Sequence, residues 1–321
     1  MPRNVPCERC NIPFSTERAE CPHCSYQRFP NVMAAQDSRH TDALNDQYAA
    51  ASQRVAGSNL DREFADLEQL ASGSKAVLCA RPEKLEPLMQ KQFDLLPNYW
   101  DLQDLRSTGS DPNGGPDWHN LRQKAEIELV GSAEHRDRLH YAALSLDGTG
   151  LPHYGDCTIV LRESMIAHRA TVYRTNSALD VSQTVGASLH PGGLAEWRDR
   201  GRLVANKLAD QLQPGMGEDE FQQLLLRPGK PENKGVDDVF VEVLVFGELT
   251  LYAFQAMSIM VDVIAQPSLS TPLSEIPQEI RTRYQVWKDR CAGTQGEGPV
   301  VAFELKIRER QSGSQTPGGV S

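Results

Sequence analysis

Two C-x-x-C pairs near the N-terminus constrain this chain more than any other feature. Cys7 and Cys10 form the first pair, Cys21 and Cys24 form the second, and ten residues separate the pairs. Two residues between cysteines let one tight turn aim both sulfurs at a single ion, and two such turns supply the tetrahedral sulfur set that zinc prefers. This spacing favours a zinc site with these four ligands over a redox pair or a disulfide framework.

Residues 5–27 resemble short zinc ribbons. A thirty-residue segment has little hydrophobic core, so metal binding would supply most of its folding free energy. Four protein ligands close the site and leave no position for a substrate, which predicts a structural zinc ion. Residues 1–30 contain four Arg and three Glu, a net charge of +1, and this is weak attraction for nucleic acid. We therefore expect the ribbon to contact a protein partner or to be purely structural.

The composition of the whole chain narrows the kinds of protein to which it can belong. The 321 residues suggest about two domains. The net charge of −10 argues against a broad surface for nucleic acid or anionic membranes. No run of about 18 apolar residues predicts a membrane span, and the N-terminus lacks the apolar stretch of a signal peptide. Since the remaining three cysteines are scattered, we expect a cytoplasmic protein with ordinary thiols.

The pattern along the chain predicts four segments: a zinc ribbon over 1–30, a linker and helical segment over 31–116, an α+β domain over 117–310 and a disordered tail over 311–321. Within the second segment, 31–59 reads as a linker running into a modest helix, and 106–116 reads as a loop. Further helices are predicted over 60–72, 82–92, 118–135, 194–212, 219–226 and 273–290. Strands are predicted over 139–145, 158–161, 170–173, 239–246, 258–264 and 300–307. The predicted fold class is α+β, with a largely antiparallel sheet.

Two features stand out as candidate chemistry. The segment 148–178 collects glycines and polar residues around a predicted strand, although its Gly-Thr-Gly is not a nucleotide-binding fingerprint. Glu242 lies within an otherwise apolar strand and by alternation shares a face with Phe240 and Leu244. A carboxylate on that face is costly to bury unless it is paired. Glu242 therefore either projects into a cleft as a functional group or, as the plainer alternative, faces solvent or pairs with an arginine.

The stretches YGDCTIVLR, HRATVYRTNSA and FVEVLVFGELTL resemble a group of bacterial ADP-ribosyltransferase-like domains, and the resemblance covers residues 139–262. It implies an enzyme that uses NAD as a substrate and cleaves the bond between nicotinamide and ribose. The implied catalytic residues are Glu242, which stabilises the oxocarbenium-like state, and His140, which holds the dinucleotide. The implied cofactor-binding residues are Tyr154, Gly155, Arg169, Asn176 and Ser177.

The chain also departs from that family. It has no Ser-Thr-Ser strand, and Phe240 occupies the position two residues before Glu242, where arginine-modifying members carry Glu or Gln. His140 also fits an ordinary core or surface role, and Asn176-Ser177 fits a helix cap equally well. The alternative function is a non-catalytic zinc-ribbon interaction or regulatory protein. A nucleic-acid-associated regulator is a third hypothesis, which the acidic balance disfavours.

Overall fold

The computed structural model describes residues 4–101 and 118–310, except 8, 16–17, 19, 27, 131–134, 136–137, 184–187, 231–232, 234–235, 265–277 and 294–300. The predicted loop over 106–116 and the predicted tail over 311–321 lie outside the described residues. The strands are β1 Asn4–Pro6, β2 Pro13–Ser15, β3 Lys75–Ala80, β4 Leu139–Ser145, β5 Cys157–Leu161, β6 Ala170–Tyr173, β7 Leu194–Glu196, β8 Glu242–Phe246, β9 Phe254–Ile264 and β10 Ala302–Arg310. The helices are α1 Pro30–Ala35, α2 Ser38–Gly57, α3 Asp61–Ser72, α4 Pro82–Met89, α5 Trp118–Val130, α6 Glu163–Ile166, α7 Ser177–Gln183, α8 Arg200–Leu208, α9 Glu218–Leu225 and α10 Gln278–Ala292.

Strands β3 to β10 form one eight-stranded sheet in the order β10-β9-β5-β3-β4-β8-β6-β7. Strands β9 and β10 are parallel, and the other neighbouring pairs are antiparallel. A parallel pair needs a crossover connection, and α10 lies in the stretch that joins β9 to β10. The predicted α+β class with a largely antiparallel sheet is confirmed. No helix within the described ranges is both long and apolar enough to cross a membrane.

Helices cover both faces of this sheet. On the face we call the α3/α8 face, Leu67 and Val204 belong to the same buried cluster as Val243 of β8. On the opposite face, called the α5/α7 face, Leu129 and Leu244 belong to a second cluster. Successive side chains of a strand point to opposite faces, so neighbouring positions of β8 contribute to different cores. This alternation decides which polar residues of the sheet can meet.

The centre of the sheet contains a strand that the sequence analysis does not predict. Strand β3 lies between β4 and β5, although its residues fall inside the segment predicted as linker and helices. Its six residues, KAVLCA, are too short an apolar run for periodicity to separate strand from helix. Helices α2 and α3 also bury Leu44, Val55 and Phe64 in the core of the α3/α8 face. The segment from α2 to β3 is therefore built into the sheet domain.

The predicted helix over 194–212 is wrong at its beginning. Leu194–Glu196 is the edge strand β7, in which Leu194 pairs with Tyr173 and Glu196 with Thr171. A short 3-10 turn, Trp197–Asp199, follows, and the α-helix begins at Arg200. Pairing with β6 overrides the helical spacing of the apolar residues, because it satisfies the backbone groups of this buried segment.

Candidate functional site

The four predicted metal ligands form one compact cluster. Their Sγ atoms all lie within 4.8 Å of one another. The Sγ atoms of Cys7 and Cys24 are 3.6 Å apart, and those of Cys10 and Cys21 are 3.7 Å apart. A tetrahedral zinc ion with Zn–S bonds of about 2.3 Å requires sulfurs about 3.8 Å apart. The donor set and its spacing therefore fit a zinc ion.

The backbone bends in the same way around each cysteine pair. The N–H of Cys7 donates to the carbonyl of the residue five positions later at 3.1 Å, and the N–H of Cys21 makes the equivalent bond at 2.9 Å. The N–H groups of Asn11 and Ser25 donate to the carbonyl of the first cysteine of each pair, at 2.9 and 3.0 Å. Both residues adopt positive φ, 58° and 54°, so each turn closes in a left-handed conformation that asparagine tolerates well. The two turns point their sulfurs inward.

Without a metal ion, the ionisation of one thiol in this cluster makes ionisation of its neighbours less favourable. Burial raises the pKa of Cys24 to about 12, and neighbouring thiols add to this rise. At Cys7, burial also opposes ionisation, but N–H groups of Cys10 and Arg9 outweigh it and lower the pKa to about 6. A divalent cation would stabilise all four thiolates together, which explains why such a cluster gains so much from binding metal.

The ribbon is joined to the sheet domain by a buried asparagine. Asn31, at the start of α1, is completely buried. Its Nδ2 donates to the carbonyl oxygens of Arg169 and Leu244 at 3.1 and 3.2 Å, and to Oγ1 of Thr171 at 3.3 Å. One side chain, seven positions after Cys24, thus contacts both β6 and β8.

Aromatic contacts surround this junction. The guanidinium of Arg28 lies 3.7 Å from the centroid of the Phe14 ring in the ribbon. Phe29 meets His168 edge to face at 5.3 Å. A cleft of about 540 Å³ opens beside them, lined by Arg18 and Glu20 of the ribbon together with residues of α1, β7 and the turn before β6. The ribbon and the domain therefore form one wall each of a shared cleft.

A second polar cluster lies under α5 on the α5/α7 face. Glu242 is 4% exposed, and its Oε2 accepts a hydrogen bond from the N–H of Ser177 at 3.1 Å. Burial raises the pKa of Glu242, while Ser177 and the nearby Arg122 oppose that rise. The carboxylate therefore neither faces solvent nor occurs alone, and an arginine that the sequence analysis does not single out lies close enough to favour its charged form.

Helix α5 supplies the rest of this cluster. The guanidinium of Arg122 lies 4.0 Å from the centroid of the Tyr141 ring and 4.7 Å from that of Tyr99. Glu126 is fully buried, and its two oxygens accept from the hydroxyl of Tyr141 at 2.5 Å and from Nε1 of Trp100 at 2.7 Å. Two buried carboxylates and one arginine are thus held between aromatic rings, which joins α5 to the sheet.

The structure gathers some of the predicted site residues around Glu242. Asn176 caps α7, since its Oδ1 accepts from the N–H groups of Ala178 and Leu179 at 3.1 and 3.3 Å. The pKa of the Tyr154 phenol is raised by burial and by the nearby Asp238 and Glu242 carboxylates. Together with Ser177, these residues form one neighbourhood on the α5/α7 face.

The remaining predicted residues lie elsewhere. His140 shares the α3/α8 face with Leu144, and it pairs with Val245 while Glu242 pairs with Ala143. The two proposed catalytic side chains therefore point to opposite faces of the sheet, three residue pairs apart, which is about 10 Å along the strands. Burial, followed by nearby cations, lowers the pKa of His140 to about 3.

Arg169 and Gly155 have structural partners. The guanidinium of Arg169 donates to the carbonyl oxygens of Met165, Phe246 and Glu248 at 3.0, 2.8 and 2.8 Å. Gly155 has φ 146°, and a Cβ there would lie 2.1 Å from the carbonyl carbon of Ala80. The arginine thus binds the turn after β8, and the glycine lets its loop pack on the end of β3.

Comparisons with known proteins assign this chain to no family. No family model matches the chain, and no curated protein matches it. The resemblance to ADP-ribosyltransferase-like domains therefore stays a prediction. Sequence reasoning missed Arg122 and Glu126; the only signal for them is their spacing of four positions on one helix, which places them on the same side.

Proposed function

We propose that this protein is a zinc-binding interaction protein, in which a structural zinc ribbon is fixed to an α+β domain and contacts a protein partner. The observation that carries the proposal is the cysteine cluster, whose sulfurs lie 3.6 and 3.7 Å apart in two facing pairs. A complete set of four thiolates leaves no coordination position for substrate chemistry. The ion therefore maintains the shape of the ribbon and does not act on a substrate.

The junction between ribbon and domain supports a docking role. Asn31 and Phe29 attach the end of the ribbon to β6 and its preceding turn. Ile12 lies between the two knuckles, and 40% of its surface is exposed. An exposed apolar side chain on a metal-stiffened turn, beside a shared cleft, suits contact with another protein better than contact with nucleic acid.

Metal analysis tests the zinc site. The purified protein should contain one zinc ion per chain by mass spectrometry of the metal, and the ion should be released by a chelator after thiol modification. Cys21→Ser should lose the ion, because Cys21 supplies a buried ligand. Cys79→Ser is the matched control, since Cys79 lies outside the cluster. Absence of stoichiometric metal from reduced protein, or retention by Cys21→Ser, would refute the site.

Site-specific photocrosslinking tests the docking role. A photoreactive amino acid at Ile12 should give one discrete protein adduct in cells. The same group at Val236, which is similarly exposed at 43%, should give none. The adduct should disappear when Cys21→Ser is added, because the ribbon then loses its shape. An Ile12 adduct that survives loss of the metal, or no adduct at all, would contradict a zinc-dependent docking surface.

An NAD-dependent ADP-ribosyltransferase-like activity is the second candidate. The grouping of Glu242, Ser177, Asn176 and Tyr154 on one face favours it, whereas the position of His140 on the other face argues against it. Incubation with NAD labelled in the nicotinamide tests this candidate directly. Release of nicotinamide that is lost in Glu242→Gln would support the enzyme, and no release from the zinc-loaded protein would exclude NAD as its substrate.

A further inference from the structure

Strand β10 forms one edge of the large sheet. All nine of its residues pair with β9, from Ala302 opposite Ala256 to Arg310 opposite Ile264. Within the described residues, no strand pairs with its other side. A strand of this length at an edge presents a row of backbone N–H and C=O groups, and such a row is a template for pairing with another strand.

The two faces of β10 differ in polarity. Phe303 and Leu305 are partly buried and pack against the core of the α3/α8 face. Glu304 and Lys306 alternate with them, and their side chains are 68% and 43% exposed. The Nζ of Lys306 lies 3.9 Å from Oε2 of Glu304 on the same strand. Thus one face continues the core, and the described charged side chains of the other face are Glu304 and Lys306; Arg308 and Arg310 follow at the alternate positions of the sequence.

The five residues 303–307 of this strand are complementary to themselves when the sequence is turned around. If two copies of β10 pair antiparallel about Leu305, Leu305 lies opposite Leu305, and Glu304 of each copy lies opposite Lys306 of the other. Position 303 then lies opposite position 307, so Phe303 is matched with an isoleucine. Directly opposed residues of antiparallel strands share a face, so the two copies of Leu305 meet on the core face, and Glu304 meets Lys306 of the other copy on the opposite face.

We propose that β10 is a self-association surface and that its occupant is the β10 strand of a second copy of this chain. The pairing is antiparallel and twofold, centred on Leu305, and it extends the sheet continuously from one copy into the other. Charges on edge strands commonly serve to prevent such pairing, but they do so by repelling another copy or by burying a charge. Here Glu304 and Lys306 lie symmetrically about Leu305, so at these two positions each charge of one copy meets the opposite charge of the other.

Charge reversal tests this register. The wild-type chain should form a concentration-dependent dimer in sedimentation equilibrium and in light scattering after gel filtration. Lys306→Glu places two negative charges opposite each other on both sides of the twofold axis. Glu304→Lys does the same with positive charges. Each single change should raise the dissociation constant about tenfold or more, since like charges directly opposed destabilise strand pairs.

The double variant Glu304→Lys, Lys306→Glu is the decisive control. It exchanges the two charges, restores both opposite-charge pairs, and should recover a dissociation constant close to that of the wild type. Lys124→Glu, an exposed charge change on α5, should leave association unchanged. Thermal melts should show that all four variants are folded. A wild-type chain that stays monomeric at the highest soluble concentration would overturn the proposal, as would a dimer insensitive to the single changes or not recovered in the double variant.

Discussion

Replacing Asn31 by alanine gives a sharp test of how the ribbon is attached. The side chain is completely buried, and its Nδ2 contacts three acceptors: the carbonyl oxygens of Arg169 and Leu244 and the hydroxyl oxygen of Thr171. Asn31→Ala removes the only part of the side chain that donates hydrogen bonds. The three acceptors then remain in a space that the shorter side chain does not fill.

The expected loss of stability follows from the number of hydrogen atoms on the amide nitrogen of Asn31. An amide nitrogen carries two, so the three contacts amount to about two hydrogen bonds, each worth roughly 0.5–1.5 kcal/mol net. Leaving buried acceptors unsatisfied adds to this cost. We expect Asn31→Ala to lower the free energy of unfolding by about 2–3 kcal/mol. Asn31→Asp should cost more, because it keeps the shape but directs a carboxylate at three oxygens.

Urea unfolding of the zinc-saturated protein measures both changes. The midpoint should fall in the order wild type, Asn31→Ala, Asn31→Asp, and the slope should not change, since a similar surface is exposed on unfolding. Gln36→Ala, an exposed residue at the end of α1, should shift the free energy of unfolding by less than about 0.5 kcal/mol. If Asn31→Ala matches this control, or if Asn31→Asp is no worse than Asn31→Ala, the asparagine does not hold the junction by donating hydrogen bonds.

Three further predictions concern the sheet domain. The Oε2 of Glu242 accepts a hydrogen bond from the N–H of Ser177, and an amide oxygen can accept the same bond, so Glu242→Gln should lower the free energy of unfolding by less than Glu242→Ala, which should cost about 2–4 kcal/mol in urea unfolding; equal effects would contradict the hydrogen-bonding role. Burial lowers the pKa of His140 from 6.5 to about 3, so the unfolded chain binds its proton first and stability is lost as pH falls below about 6.5. His140→Leu should flatten this loss, and an unchanged pH profile would count against a neutral buried histidine. Gly155→Ala should cost more than about 2 kcal/mol in thermal melts because of its positive φ and the adjacent backbone, while Gly57→Ala, with open space around it, should be neutral or stabilising by up to about 1 kcal/mol; similar effects at both positions would refute the packing argument.

Sequence patterns correctly predicted the elements whose geometry depends on residues close together in the chain. The cysteine cluster depends on two turns of four residues each, so the spacing of Cys7, Cys10, Cys21 and Cys24 is enough to predict its geometry. The predicted strand over 170–173 also coincides with β6, because β-branched and aromatic residues fill a strand buried on both faces.

Nonlocal features were not predictable in the same way. Strand β3 is a strand because β4 and β5 flank it, and its six residues alone do not distinguish it from a helix. On α5, Glu126 is fully buried while its neighbour Ile127 is 38% exposed, the reverse of what polarity predicts. That inversion depends on Tyr141 and Trp100, which satisfy the carboxylate from distant parts of the chain. The sequence therefore predicted part of the site around Glu242 but did not predict that Arg122 belongs to it.

The order of strands in the sheet also has a consequence for how the chain acquires its structure. Val77 pairs with Ala143, and Ala143 pairs with Glu242, so the central strands come from widely separated parts of the sequence. Proteins dominated by such distant pairings fold slowly, because long loops must close before contacts form. On the ribosome, β3 emerges long before β8, so its apolar side chains and its unpaired backbone groups stay exposed until its partner strands arrive. The four cysteines of the ribbon lie within 18 residues of one another, so their cluster has no such wait and can form while the rest of the protein is still being made.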